Sequence, residues 1–288
     1  MKIYPWIYAA RPKTLVASIV PVISATLILP KGIFKLDIFI FTIIAAIIIQ
    51  ITTNYINDLY DFLKGADENR IGPKRMLQSG ELTQKQIKIG VITLIILGLL
   101  CGIPLVIQGG IPIMLIGLSS FVFAYLYTGG PFPLAYHGLG DIFVFIYFGV
   151  IAVLGTYYLQ AGLINYAGFY LGIALGANNT ILLAINNLRD YDTDKISCKK
   201  TLIVILGKQF GKLEIIAMNF LSHICFFWLA THLENYNLFY MMLLSSPLNL
   251  YIVYDIYSVS DKKLNQTLEK TSYLSMLQCV LLAIGIYL

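Results

Sequence analysis

The chain has 288 residues, 58% of them apolar and only 12% charged, with a mean hydropathy of +0.77. Soluble domains carry about a quarter charged residues, so this composition excludes a soluble globular protein and describes an integral membrane one. The net charge of +5 does not mark a nucleic-acid binder, because the Lys and Arg residues are spread through short loops. Cys101, Cys198, Cys225 and Cys279 stand singly with no pair spacing, which supports neither a disulfide framework nor a zinc site.

The short basic N-terminus (1–13) is not followed by a small-residue cleavage site, so the first apolar run reads as a retained span. Apolar runs able to cross about 30 Å of hydrocarbon fall at 15–29, 37–62, 87–106, 111–127, 140–159, 166–188, 214–230, 238–257 and 273–288. Gly109-Gly110-Ile-Pro112 and Gly129-Gly130-Pro131-Phe-Pro133 mark turns between runs. The expected fold is an all-α membrane bundle of nine transmembrane helices, a single domain over 1–288. Of the 20 Lys and Arg, all but Lys31 and Lys35 fall on the side that holds the N-terminus and the loops after the even-numbered helices. By the positive-inside rule that side is cytoplasmic, and an odd number of helices leaves Leu288 outside.

Acid is concentrated where the second and sixth runs end. Asn54-Tyr-Ile-Asn57-Asp58-Leu-Tyr-Asp61 is followed by Asp67, and Asn186-Asn187-Leu-Arg189-Asp190-Tyr-Asp192-Thr-Asp194 repeats the theme. Asn54 and Asp58 recur 132 positions later as Asn186 and Asp190, which suggests two related halves with a site between them. Residues four apart share a helix face, so Asn54 and Asp58 point together, and Asn186, Asp190 and Asp194 follow at the same spacing. Carboxylates at a membrane boundary cost about 2.5–3.5 kcal/mol each to place in hydrocarbon, and a cation must offset that. Mg²⁺ prefers oxygen ligands and bridges one or two carboxylates to phosphate. Two such helix ends therefore suit a diphosphate, with Asp58, Asp61, Asp190 and Asp194 as the catalytic set. Asn54, Asp67, Asn186 and Asp192 complete the candidate ligands. The bland alternative is a pair of solvated helix ends rich in turn-forming Asn and Asp. Arg70, Lys74, Arg75, Lys195, Lys199 and Lys200 follow the two clusters and could hold a departing diphosphate, although positive-inside bias also explains cytoplasmic lysines.

These residues carry a family resemblance. Ala10-Arg11-Pro12-Lys13-Thr14-Leu15, Asn57-Asp58-Leu-Tyr-Asp61-Phe-Leu-Lys-Gly65-Ala-Asp67, Arg70-Ile-Gly72-Pro73 and Gln78-Ser79-Gly80 open the series. Tyr127-Thr128-Gly129-Gly130-Pro131, Gly155-Thr156-Tyr157-Tyr158-Leu-Gln160 and the second acid cluster continue it in order. Together they resemble the UbiA superfamily of intramembrane prenyltransferases, in its 1,4-dihydroxy-2-naphthoate branch of menaquinone synthesis. The general pattern Asn-Asp-x-x-Asp-x-x-x-Asp is not met literally, since its last position falls on Gly65 and the next acid is Asp67.

The resemblance implies nine helices around a central cavity with both Asp-rich motifs at its cytoplasmic end, in a cell (inner) membrane. It further implies Mg²⁺, a polyprenyl diphosphate donor, an aromatic acid acceptor, and membrane lipid as surroundings. Ionisation would give an allylic cation, shielded by apolar walls and by aromatic faces for which Tyr127, Tyr157 and Tyr158 are candidates. Arg11 could pair with the acceptor carboxylate or snorkel to headgroups. The electron-rich ring would attack and lose CO₂, giving demethylmenaquinol. Other acceptors, 4-hydroxybenzoate or 1,4-dihydroxy-6-naphthoate, remain open at this stage. So does an ion-coupled transporter, although that would want its charges at the membrane midplane. A phosphatidyltransferase would need Asp-Gly-x-x-Ala-Arg, which the sequence lacks.

Overall fold

The computed structural model describes residues 3–68 and 71–288. Among these every regular element is a helix, and six helices are long and apolar enough to cross a membrane. Backbone groups in hydrocarbon must bond within their own segment, which a helix achieves and an open strand does not.

A short helix α1 (Tyr4–Ala10) ends at Arg11, whose left-handed backbone (φ 52°) turns the chain into Pro12. Helix α2 (Val16–Leu27) follows, and its 12 residues are fewer than the run 15–29 promises. The long α3 (Leu36–Leu63) carries the first acid cluster at its C-terminal end. Next comes α4 (Gln84–Thr128), opened by a capping box in which Thr83 and Gln86 satisfy each other's backbone N–H groups. Its 45 residues would reach roughly 65 Å as a straight helix, about twice a bilayer core. Gly110 breaks it, with φ 65° and ψ −154°, a conformation that only glycine adopts without strain. The runs 87–106 and 111–127 are the two arms of this bent helix.

The fifth run becomes α5 (Gly140–Phe145), a π-helical segment (Ile146–Ile151) and α6 (Ala152–Ala161) in continuous succession. That span packs on α7 (Tyr166–Arg189), the most enclosed of the six, with 72% of its apolar window buried against 11% for α4. The closeness rests on glycine: a Cβ on Gly149 would lie 2.3 Å from the Gly176 Cα. Small residues permit such backbone approach in membranes, where dispersion has to replace hydrophobic drive.

Helix α7 ends in the second acid cluster. Two short helices, α8 (Tyr191–Ile196) and α9 (Leu202–Leu206), then lead into α10 (Lys208–His232). The run 238–257 is divided into α11 (Tyr236–Leu243) and α12 (Ser246–Ser258), with Pro247 in the first turn of the latter. Pro at a first turn costs no hydrogen bond, since that N–H is unpartnered in any helix. The last helix, α13 (Leu264–Tyr287), packs on α2, α7 and α11 and completes the wall around a cavity.

Candidate active site

The C-terminal ends of α3 and α7 open onto one cavity of about 490 Å³. Asn54, Asp58 and Asp61 line it from α3, and Asn186 and Asp190 from α7. Arg11, Lys74, Arg75, Arg189 and Lys199 line it as well, so acids and cations share the chamber. A second, apolar chamber of about 190 Å³ adjoins it, sharing the walls Thr53, Tyr127, Val144 and Phe148.

On the first rim the acids are gathered around the Arg75 guanidinium. Arg75 stands 4.0 Å from Asp58, 3.7 Å from Asp61 and 3.4 Å from Asp67, and is itself only 8% exposed. The backbone N–H of Leu77 also donates to Asp58. The Tyr136 hydroxyl donates to Asp61 at 2.9 Å, and Lys199 reaches the same carboxylate at 3.7 Å from beyond α8. Lys199 thus joins the second cluster to the first across the chamber. Burial, and then the Asp61 charge, push the Tyr136 phenol far above its usual range, so it stays a proton donor. Lys64 donates to the Thr128 carbonyl and lies 4.0 Å over the Tyr136 ring. Burial holds its ammonium below the ordinary lysine range, against the opposing pull of Asp61.

Asn54 ties this rim to the N-terminus. Its amide nitrogen donates to the Ala10 carbonyl and the Thr14 hydroxyl, while Oδ1 accepts a long bond (3.5 Å) from the Gln50 amide, one turn back on α3. Arg11 donates weakly to the Asn54 carbonyl at 3.5 Å and so sits above the same helix end.

The second rim is clasped by Arg189, 2% exposed. Its Nε and Nη2 donate to the two oxygens of Asp190 at 2.7 and 2.6 Å. Nη2 also reaches Asn186 Oδ1, and Nη1 reaches Asn265 on α13. Helix α7 stops at Asp190, whose backbone (φ −90°, ψ 6°) leaves the helical region, so the four-residue spacing does not continue to Asp194. Asp194 is buried in α8, outside the cavity lining.

Several expected site residues lie elsewhere. Asp192 is exposed and pairs with Lys208 at 2.8 Å, away from the chamber. Lys195 and Lys200 are exposed and do not line the cavity; Lys200 forms a backbone bridge with His137 instead. Asp67 is buried behind Arg75. Arg70 lies outside the described residues. Tyr157 and Tyr158 line neither chamber. They lie near the far end of the α5–α6 span, roughly 25 Å along the helix from its start. The Tyr157 hydroxyl accepts from Asn165, the residue capping the opposite end of α7 from Asp190. Tyr158 packs with Ile38, Leu105 and Ile113. Tyr127 does line the chamber, at its junction with the apolar one.

The donor set is compatible with a hard divalent ion. The acid-bearing chamber offers carboxylate and amide oxygens and, among the described residues, is lined by no His or Cys. Among the described residues no three carboxylates, imidazoles or thiols are grouped to chelate an ion by themselves. Mg²⁺ keeps waters and takes only one or two carboxylates per site, so it does not require such a group.

The model of the UbiA prenyltransferase family matches residues 18–277. The 1,4-dihydroxy-2-naphthoate octaprenyltransferase of Mycobacterium tuberculosis is 36% identical over 205 residues, 70% of each chain. The enzyme of the same name from Escherichia coli is 32% identical, covering 98% of this chain and 95% of its own. A UbiA homolog from Archaeoglobus fulgidus bound to GPP and Mg²⁺ superposes with a TM-score of 0.71 over 99% of this chain and all of that one, at 16% identity, which shows a shared fold. A family match over most of the sequence, with relatives above 30% identity spanning nearly all of it, places the chain in the UbiA prenyltransferase family, as a prenyltransferase of the membrane.

Proposed function

We propose that the enzyme transfers a polyprenyl group from polyprenyl diphosphate to 1,4-dihydroxy-2-naphthoate with loss of CO₂, giving demethylmenaquinol. The observation that carries this reading is the meeting of two acidic helix ends and their arginines in one chamber, joined to an apolar one. The naphthoate as acceptor is supported by the relatives that carry that name and cover the chain nearly end to end. Nine spans, counting both arms of α4 and taking α11 with α12, would place both rims on the cytoplasmic side of the inner membrane.

Asn54, Asp58 and Asp61 on one rim, and Asn186 and Asp190 on the other, would hold Mg²⁺. When bound, the ion neutralises diphosphate charge and eases its departure. Arg75 and Arg189 now neutralise the acids, and each would turn to the diphosphate once the acids take another cation. Lys199, already beside Asp61, and Lys74 at the cavity wall add positive charge for the leaving group. Arg11 would pair with the acceptor carboxylate from the chamber's N-terminal side. The prenyl tail would enter the apolar chamber, which keeps water from the allylic carbon. Tyr127, on the wall shared by both chambers, offers its ring face to the developing cation, worth about 0.5–2 kcal/mol.

The test is an assay of the purified protein with polyprenyl diphosphate, Mg²⁺ and either dihydroxynaphthoate or 4-hydroxybenzoate, read by product mass. Prenylated, decarboxylated naphthoquinol is expected. Product from hydroxybenzoate alone would overturn the acceptor; no product from either would overturn the activity.

A further inference from the structure

Asp141 is an acid to which neither cluster lays claim. It belongs to the first turn of α5, just after the Gly/Pro-rich loop that carries Tyr136, and is 4% exposed. It lines the acid-bearing chamber together with Gly140, Val144 and Phe148, residues at three- and four-residue spacing along one helix face. Its oxygen Oδ1 is buried and has no hydrogen-bond partner among the described residues. An unsatisfied buried carboxylate oxygen costs more than an ordinary lost hydrogen bond, and such atoms in a cavity wall call for a ligand or a chemical role. A carboxylate near a helix start is favoured by the helix dipole. That accounts for an acid in the first turn and leaves the idle oxygen unexplained.

Position gives the oxygen a task. Val144 and Phe148, one and two turns beyond Asp141, are shared by both chambers, so Asp141 stands beside their junction. A Cβ on the adjacent Gly140 would lie 3.2 Å from the Tyr127 hydroxyl, which brings Tyr127 to the same spot. With the diphosphate at the acid rims and its tail in the apolar chamber, the allylic carbon falls at this junction. The aromatic ring that attacks it must be there too.

We propose that Asp141 is a further catalytic residue, the base that accepts a hydrogen bond from a ring hydroxyl of the acceptor and takes its proton during attack. The assignment rests on the reading of the chain as a prenyltransferase of a hydroxylated aromatic acid. The allylic C–O bond breaks and its electron pair leaves with the diphosphate. Ring π electrons form the new C–C bond, the hydroxyl O–H pair becomes a carbonyl π bond, and the proton passes to Asp141. When CO₂ or H⁺ departs from the attacked carbon, its bonding pair restores the ring and Asp141 returns the proton to oxygen.

The experiment compares wild type, D141N and D141E in the purified full-length protein with Mg²⁺ and prenyl diphosphate. The acceptors are dihydroxynaphthoate and its two monomethyl ethers. D141N should lose about a hundredfold or more in kcat, the ordinary scale of general-base catalysis, with an unchanged KM for prenyl diphosphate. D141E should recover part of the loss. Methylating the reacting hydroxyl should slow wild type by a comparable factor and D141N hardly at all, a non-additivity that a merely structural aspartate would not produce. An unchanged melting temperature of D141N confirms that it is folded. Near-wild-type turnover by D141N overturns the assignment, as does an equal effect of methylation on both proteins. Were wild type to prenylate only 4-hydroxybenzoate, the acceptor reading would fail by itself. The same comparison on that phenol and its methyl ether would then decide Asp141.

Discussion

Arg75→Leu is the sharpest perturbation of the first rim, because it removes one cation from among three buried acids. At separations of 3.4–4.0 Å and an effective dielectric near 20, each attraction has a gross strength of about 4–5 kcal/mol. Desolvation of the four charges takes back most of that, and removing one partner of a buried ion pair costs about 3–5 kcal/mol in practice. With roughly 2–4 °C per kcal/mol for a chain of this size class, the melting temperature in detergent and EDTA should fall by roughly 6–20 °C. Mg²⁺ should restore much of the loss, since an ion bound by the folded acids adds about 2.7 kcal/mol at a hundred times its Kd. The assay is a thermal melt of wild type and R75L across a Mg²⁺ titration, in which the mutant's midpoint should climb more steeply. A mutant that melts within a degree or two of wild type in EDTA would refute the view that Arg75 keeps these carboxylates in place.

Two further outcomes follow from the same geometry. Asp58→Ala and Asp190→Ala should each reduce prenyl transfer by more than about a hundredfold while leaving folded protein, and excess EDTA should do the same to wild type; full activity in either variant would remove that residue from the metal and diphosphate site. Tyr157→Phe should leave kcat and KM unchanged and lower stability by about 1 kcal/mol, the worth of its hydrogen bond from Asn165. A selective loss of acceptor binding in that variant would return Tyr157 to the active site.

How far the sequence could be read depended on whether a local rule carried through to the tertiary level. The break at Gly110 was legible because Gly-Gly-Ile-Pro is a turn signal in any context, even though it bends one long helix here instead of opening a loop. That Asp58 and Asp61 share one rim was legible because α3 stays helical through both. The same spacing argument failed beyond Asp190, where the helix ends. It therefore grouped Asp194, which α8 buries outside the cavity lining, with residues that line the chamber. Tyr157 and Tyr158 fall outside both chambers, because a motif in sequence does not say which end of a span it occupies.

The cations were the least legible part, for a reason that bears on the chemistry. Arg189 adjoins Asp190 in sequence and carried no assignment, yet it bonds both Asp190 oxygens and Asn186 at once. Arg75 was assigned to substrate, yet its contacts are to the chain's own acids. A sequence lists acids and bases without saying whether they neutralise one another, and here the pairing is what allows several carboxylates to be buried beside hydrocarbon. Each pairing also occupies oxygens that a metal would use, so on the proposed function binding an ion and freeing an arginine for the diphosphate would be one exchange of partners. On the proposed function, the rims would remain nearly neutral whether empty or loaded, and positive charge would reach the leaving group only after the acids had gained a replacement.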